Sequence, residues 1–151
     1  VQTCALPIWK FKILGSDIDP KALKQARTNA ELAGVSDVVS FQRMPVQKVA
    51  TKRHYGVVVT NPPYGERLCN DVQVQKLYRE MGQTFGKLED WSFFILSGYP
   101  DFEKYFGQKA TKNRKLYNSM IKTYLYQYFG PLPPRHYRRE AIAGEKHEQE
   151  S

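Results

Sequence analysis

The chain has 151 residues, enough for one hydrophobic core, and 41% of them are apolar, which is typical of a globular domain. Its longest apolar runs are far too short to cross a membrane and its N-terminus has no signal pattern, so we expect a cytoplasmic protein without membrane contact. Two cysteines and three scattered histidines suggest neither disulfides nor a metal site, whereas a formal net charge of +8 favours an acidic partner such as nucleic acid or an acidic protein.

The first predicted element is a short apolar strand over residues 12–17, followed at once by a helix. Asp19 is a good N-cap, Pro20 suits the first helical position, and Gly34 is a plausible stop. An acid at the carboxyl end of a parallel strand is placed to bind ribose hydroxyls, which makes Asp17 a candidate nucleotide ligand. The alternative is that Asp17 is only a surface acid, and we interpret Asp19 as a cap.

The most informative segment is Asn61-Pro62-Pro63-Tyr64, which follows the apolar run 55–60. The two prolines stiffen the exit from this strand, and neither prolyl nitrogen carries a hydrogen. Asn61 offers an amide oxygen and Tyr64 a flat aromatic face. A planar substrate with an exocyclic amine needs acceptors for its hydrogens and a ring on which to stack. The alternative is a proline-rich turn with Tyr64 in the core.

The remaining elements alternate between strands and helices. Further strands are predicted over residues 38–43 and 91–97, helices over 71–85 and 100–106, and a hairpin over 115–117 and 121–129. The run 55–60 has the near-continuous apolar character of a central, buried parallel strand. This order predicts an α/β fold: the second half of a doubly wound sheet, mostly parallel, with an antiparallel C-terminal hairpin.

Basic residues cluster just before the predicted hairpin. Lys112, Arg114 and Lys115 lie within four positions, and Tyr117 and Tyr124 follow them. Basic side chains interleaved with aromatic ones suit a surface that binds RNA phosphates and stacks on bases. The alternatives are a solvated surface or an acidic protein partner.

Three segments together resemble the class I S-adenosylmethionine-dependent methyltransferases. They are residues 15–20 (GSDIDP), 26–30 (ARTNA) and 60–68 (TNPPYGERL). Within that class they are most similar to the RlmL-like RNA guanine-N2 methyltransferases, which usually carry a THUMP domain. Residues 91–97 and 112–118 are also similar to that subgroup, so the resemblance runs from about residue 14 to about residue 129.

The resemblance implies a Rossmann-like fold, S-adenosyl-L-methionine as cofactor, and methylation of guanine N2 in RNA, specifically large-subunit ribosomal RNA. It implies catalytic roles for Asn61, Pro62, Pro63 and Tyr64, cofactor binding by Asp17 and Ile18, and RNA binding by Lys112, Arg114 and Lys115. No metal is implied.

The chain also departs from the family pattern. A first strand and a glycine-rich loop precede residues 15–20 in the family, and residues 1–10 match neither. No acid near Pro45 is available to hold the adenine amine. We therefore expect residues 1–134 to be a partial catalytic domain that works with an N-terminal part of the same enzyme, and residues 135–151 to be a charged, flexible tail.

Two alternative functions stay open at the level of sequence. The same motif serves amine methylation of adenine in DNA and of glutamine in proteins, because both targets are planar amines. A different class of function is a catalytically inactive RNA-binding fragment. The roles of Glu66 and Arg67 are undecided between a salt bridge that stiffens the loop and a substrate contact.

Overall fold

The computed structural model describes residues 13–64, 71–118 and 121–135. The segment 1–10, Glu66 and Arg67, the turn at Ser119, and the tail from residue 136 onward lie outside the described residues. The chain divides into two compact units at Pro45, with the candidate motif Asn61–Tyr64 in the second.

The first unit contains strand β1 (Ile13–Asp17), helix α1 (Pro20–Leu32) and strand β2 (Val39–Arg43). β1 and β2 are parallel, with Ile13 opposite Val39 and Asp17 opposite Arg43. The predicted start of α1 is confirmed: the Asp19 carboxylate accepts a hydrogen bond from the backbone N–H of Lys21 at 2.8 Å. Gly34 follows the helix with a φ of +67°, a conformation that glycine adopts without strain.

The second unit is built on one four-stranded sheet with helices against one face. Along the chain its elements are a 3₁₀ helix (Val46–Lys48), β3 (Val57–Thr60), α2 (Asp71–Phe85), β4 (Ser92–Ser97), α3 (Phe102–Phe106), β5 (Lys112–Asn118) and β6 (Ile121–Tyr128). The strand order is β3-β4-β6-β5. β3 and β4 are parallel, whereas β6 is antiparallel to both β4 and β5.

The core of this unit lies between the sheet and helices α2 and α3. Phe85 of α2 stacks on Phe93 of β4, with ring centroids 4.9 Å apart. Phe102 of α3 packs against Tyr126 of β6 at 4.7 Å. Alternate residues of β4 are buried, as expected for a strand covered on one side, and Ile95 is fully buried at its centre. These aromatic contacts fix α2 and α3 on β4 and β6.

One strand differs from its prediction. β3 was predicted to be a buried central strand, but Val57 and Val59 are 58% and 76% exposed. Among the described residues β3 pairs only with β4 and stands at the end of its sheet. Its other side chains, Val58 and Thr60, are half-buried on the side of the core. The apolar pattern therefore identified a strand correctly but overestimated its burial.

The strand directions bring three chain segments together at the carboxyl edge of the sheet, which is the rim formed by the C-terminal ends of its parallel strands. β3 and β4 are parallel, so their carboxyl ends, at Thr60 and Ser97, lie on the same edge. β6 is antiparallel to β4, and Tyr124 near its start is opposite Ser97. The segment after Thr60, the segment after Ser97 and the beginning of β6 therefore meet at this edge.

Candidate active site

The motif that follows β3 combines one exposed polar side chain with buried neighbours. Asn61 is exposed, Pro62 is buried, Pro63 is half-buried, and the Tyr64 ring is only 8% exposed. The amide of Asn61 is thus available to a ligand at the carboxyl edge of the sheet. The Tyr64 ring is covered, so stacking of a base on its face requires a rearrangement that uncovers it.

A network of hydrogen bonds between buried hydroxyl groups holds this motif on its core side. The hydroxyl of Tyr78 on α2, a fully buried residue, donates a hydrogen bond to the carbonyl oxygen of Pro63 at 2.9 Å. The same hydroxyl lies 3.2 Å from Oγ of Ser97, which is also fully buried. Ser97 Oγ in turn accepts a hydrogen bond from the backbone N–H of Tyr99 at 3.1 Å. The network therefore joins α2 and the end of β4 to the candidate motif.

The donor count fixes the direction of every hydrogen bond in this network. The single hydrogen of the Tyr78 hydroxyl goes to Pro63, so the Ser97 hydroxyl must donate to Tyr78. Burial raises the pKa of Tyr78 to about 12, so this hydroxyl keeps its hydrogen at pH values where a free tyrosine ionises. The Tyr78 hydroxyl takes one of the two lone pairs of the Pro63 carbonyl, and Asn61 is the exposed polar side chain of the motif.

Gly98 connects the motif to the start of β6. A Cβ atom at Gly98 would lie 3.1 Å from the edge of the Tyr64 ring and 3.1 Å from the carbonyl oxygen of Lys122. The ring and the Lys122 backbone therefore flank Gly98 closely from two sides. An open cavity of about 370 Å³ adjoins the same glycine, and its lining is Asp71, Gly98, Tyr99, Pro100, Asp101 and Tyr105.

The predicted cofactor residues lie in the first unit. Asp17 ends β1 and is exposed, and its Oδ1 accepts a hydrogen bond from the backbone N–H of Asp19 at 2.8 Å. The carbonyl of Ile18 accepts a hydrogen bond from Arg43 Nε at 3.0 Å, while the Ile18 side chain is exposed. These bonds give the turn after β1 a defined shape with one carboxylate oxygen pointed into the turn.

The predicted RNA-binding cations all lie on β5, but not on one face of it. Side chains alternate along a strand, so Lys112 and Arg114 share one face and Lys115 lies on the other. All three are exposed. β5 is an edge strand of its sheet among the described residues, so no further strand lies beside it there.

Sequence reasoning missed Tyr78, Ser97 and Gly98. Tyr78 continues the helical spacing of Val74, Met81 and Phe85, which could have placed it on the buried face of α2. Its partner Pro63 lies 15 residues earlier, and no sequence pattern indicates that contact. Val72, an apolar side chain in the first turn of α2, is exposed.

Neither a metal-binding group nor a membrane-spanning helix is found among the described residues. In residues 13–64, 71–118 and 121–135 there is no group of three or more His, Cys, Asp or Glu side chains that could hold a metal ion. No helix within these ranges is long and apolar enough to cross a membrane.

Residues 4–127 match the sequence profile of UPF0020, the RMKL-like methyltransferase domain. The chain belongs to this family. The resemblance inferred from the sequence is therefore confirmed, and the match covers both the turn after β1 and the Asn61–Tyr64 motif of this methyltransferase domain.

Two curated proteins illustrate the relationship of this methyltransferase domain to longer chains. It is 44% identical over 128 residues to "Putative RNA methyltransferase YpsC" of Bacillus subtilis (strain 168), covering 85% of this chain and 33% of that protein. It is 39% identical over 116 residues to ribosomal RNA large subunit methyltransferase K/L of Legionella pneumophila (strain Corby), covering 76% of this chain and 16% of that protein. The chain thus spans a third or less of the length of these curated relatives.

Solved structures of similar proteins confirm the predicted fold class. SMU.472, crystallised in complex with SAH, has a TM-score of 0.79 at 46% identity, covering 83% of this chain and 33% of that one. A predicted N6-adenine-specific DNA methylase from Listeria monocytogenes str. 4b F2365 has a TM-score of 0.71 at 47% identity, covering 79% of this chain and 30% of that one. The fold is an α/β methyltransferase-like fold with parallel strands followed by antiparallel ones.

Proposed function

We propose that the whole protein is an S-adenosyl-L-methionine-dependent methyltransferase that modifies the N2 amine of guanine in large-subunit ribosomal RNA. The observation that carries the proposal is the exposed Asn61 amide directly after β3, on a motif held by the buried Tyr78 hydroxyl. Support also comes from the family and from the name of the Legionella relative. A protein that methylates ribosomal RNA would act in the cytoplasm.

The residues at the sheet edge suit a planar amine. Asn61 Oδ1 and the Pro62 carbonyl would accept the two amine hydrogens and direct the nitrogen lone pair toward the methyl donor. Tyr64, once uncovered, would stack on the base, and Pro63 shapes the turn that presents the other three residues. A guanine inside a stem would first have to leave its stack.

The turn after β1 fits part of the cofactor. S-adenosyl-L-methionine, when bound, supplies an electrophilic methyl group. Asp17 Oδ1 is fixed by the Asp19 backbone, which leaves Oδ2 as the oxygen for a ribose hydroxyl, and Ile18 offers an exposed apolar side chain beside it. The SAH complex of SMU.472 supports this choice of cofactor. We propose that the contacts to the methionine part come from an N-terminal part of the whole protein, with residues 1–134 as one portion of the catalytic domain and 135–151 as a tail.

The basic strand β5 would supply phosphate contacts. Lys112, Arg114 and Lys115 are exposed on the strand next to β6, whose start lies at the same sheet edge as Ser97. Cations in this position can bind the RNA backbone around the target nucleotide without reading its sequence.

Adenine in DNA is the second candidate substrate, because the Listeria relative is named for that activity. Methylation of a protein glutamine and an inactive RNA-binding protein are the other outcomes of the test. The experiment is methyl transfer by the whole protein to ribosomal RNA, duplex DNA and a glutamine-containing peptide, followed by nucleoside and peptide analysis. N2-methylguanosine alone is expected. N6-methyladenine in DNA, methylglutamine, or no product with intact RNA binding would each overturn the proposal.

Asn61→Ala tests the amine-holding role. Loss of a hydrogen bond made in the transition state lowers turnover by about 10²–10³-fold, while RNA affinity should change little because phosphate contacts dominate it. Asn29→Ala is the matched control, since Asn29 is an exposed asparagine on α1. Equal turnover of the Asn61→Ala and Asn29→Ala proteins would return Asn61 to a structural role.

A further inference from the structure

Four side chains on one face of the β5–β6 hairpin form an alternating pattern of lysine and tyrosine. Lys115 is opposite Tyr124 and Tyr117 is opposite Lys122 in the strand register. Within each strand the lysine also lies beside a ring: Lys115 Nζ is 5.0 Å from the Tyr117 centroid, and Lys122 Nζ is 5.2 Å from the Tyr124 centroid. We call these four residues the lysine–tyrosine patch.

The patch is exposed where the same face is buried further along β6. Tyr126 and Tyr128 on this face are buried in the core, and Tyr124 is half-buried against it. Lys115, Lys122 and Tyr117 are exposed, with Tyr117 at 67%. An aromatic ring that is left open to water between two cations is the kind of surface that interacts with a partner rather than with the protein interior.

The patch lies beside the candidate motif. Tyr124 is opposite Ser97, whose hydroxyl contacts Tyr78. One residue beyond the end of β4, Gly98 lies between the Lys122 carbonyl and the Tyr64 ring, since a Cβ atom added to it would be 3.1 Å from each of them. A polymer with one unit at Asn61 would therefore have its neighbouring units within reach of the patch.

The charge state of the patch suits an anionic partner. A hydrogen bond between Lys115 and Tyr117 raises the pKa of the lysine and lowers the pKa of the tyrosine. Lysine is a cation at neutral pH in any case, and the geometry places the ammonium group of Lys115 beside the Tyr117 ring. Lys122 also favours the ionised form of Tyr117, although less strongly.

We propose that the lysine–tyrosine patch binds unpaired RNA nucleotides next to the target nucleotide, with a base stacked on Tyr117 and phosphates held by Lys115 and Lys122. Stacking on tyrosine tolerates any base, and flanking cations hold the backbone. The patch measures about 7 Å along the strands and about 5 Å across them, which leaves room for one or two nucleotides. A continuous duplex hides its base faces, so the patch selects single-stranded or looped RNA. This inference rests on the proposed function and specifies its substrate class.

The test is fluorescence anisotropy of the whole protein with a labelled single-stranded oligoribonucleotide and with a duplex of the same composition. Tyr117→Leu should weaken single-strand binding by about 5- to 100-fold and change duplex binding little. Its matched control is Phe129→Leu, an exposed ring just past the opposite end of β6, which should leave both affinities unchanged. Equal single-strand affinities for the Tyr117→Leu and Phe129→Leu proteins would overturn the proposal.

Salt titration separates the two faces of β5. Changing Lys115 and Lys122 to Gln should flatten the slope of log affinity against log salt by about 0.7 per lost contact on a single strand, and it should reduce the preference for single strands. The matched change of Lys112 and Arg114 to Gln, on the opposite face, should alter the slope but leave that preference intact. Displacement of the RNA by an acidic peptide at equal charge concentration would indicate an acidic protein partner and would contradict the proposal.

These binding measurements need no methyl donor. If no methylated product is found on any substrate but Tyr117→Leu still weakens single-strand binding, the proposed function fails while the patch stands. If N2-methylguanosine forms but Tyr117→Leu binds single strands normally, the proposed function stands and the patch fails.

Discussion

At the scale of single residues, the candidate site depends on one buried hydroxyl. The Tyr78 hydroxyl donates a hydrogen bond to the Pro63 carbonyl of the Asn61–Tyr64 motif, and Ser97 orients that hydroxyl. Tyr78 contacts neither substrate nor cofactor in the proposed mechanism, so it is a positioning residue. It fixes the Pro63 carbonyl, and through it the direction in which Asn61 and the Pro62 carbonyl face.

Tyr78→Phe should therefore lower kcat more than it changes KM for RNA. The substitution leaves a buried carbonyl without its donor, which also destabilises the protein by about 1–3 kcal/mol. Tyr128→Phe is the matched control, because that buried hydroxyl donates to the Gln108 carbonyl at 3.2 Å, away from the motif. We expect similar losses of stability in urea unfolding but a loss of kcat in the Tyr78 variant alone. The same kcat in both variants would mean that Tyr78 has only a structural role.

The residue scale also shows where sequence reasoning succeeds. Asp19 and Pro20 were predicted correctly because capping acts between neighbours in the chain. The position of Asn61 at the end of a strand was predicted for the same reason. The bond from Tyr78 to Pro63 and the exposure of Val59 could not be predicted, because both depend on which distant element packs against which.

At the scale of elements, the site depends on how α2 and α3 cross. A Cβ atom at Gly82 of α2 would lie 1.9 Å from the carbonyl oxygen of Phe106 at the end of α3. Glycine is thus required for the two helix backbones to approach this closely. The crossing matters to the site because α2 carries Tyr78 and because Phe102 of α3 packs against its ring at 4.9 Å.

Gly82→Ala should separate the two helices and destabilise the protein by about 1–3 kcal/mol, the usual range for overpacking. The obstacle is backbone rather than a flexible side chain, so we expect the upper part of that range. Gln83→Ala, an exposed change at the next position of α2, should alter the free energy of unfolding by less than about 0.5 kcal/mol. Urea titration of both proteins measures the difference, and equal midpoints would show that the helices can move apart at no cost.

At the scale of the whole molecule, the tyrosine hydroxyls differ in the direction in which their pKa values are shifted. The chain has ten of them. Burial raises the pKa of Tyr78 to about 12 and also raises the pKa of Tyr126 and Tyr128, whereas Lys115 lowers the pKa of the exposed Tyr117. The buried hydroxyls must therefore stay protonated in the folded protein at pH values where free tyrosine ionises.

This difference in pKa between the folded and unfolded states determines how stability changes with pH. Between about pH 10 and pH 12 the unfolded chain has lost the Tyr78 proton while the folded chain keeps it, so the unfolded state binds fewer protons and stability falls as pH rises. The stabilising contribution is complete below about pH 10. Tyrosinate absorbance should show Tyr117 ionising first and Tyr128 ionising only with unfolding, as judged from difference curves against Tyr117→Phe and Tyr128→Phe. Coincident curves for the two tyrosines would contradict the prediction.

The edge position of β5 has a consequence for the behaviour of the protein in solution. Among the described residues this strand pairs only with β6, so its outer backbone N–H and C=O groups have no strand beside them. Such an edge can recruit a strand from another molecule and begin aggregation, and charged side chains prevent this by mutual repulsion. Lys112, Arg114 and Lys115 line that edge. The same charges that are proposed to attract RNA would thus keep the protein monodisperse. Removing them would be expected to weaken RNA binding and to lower solubility together.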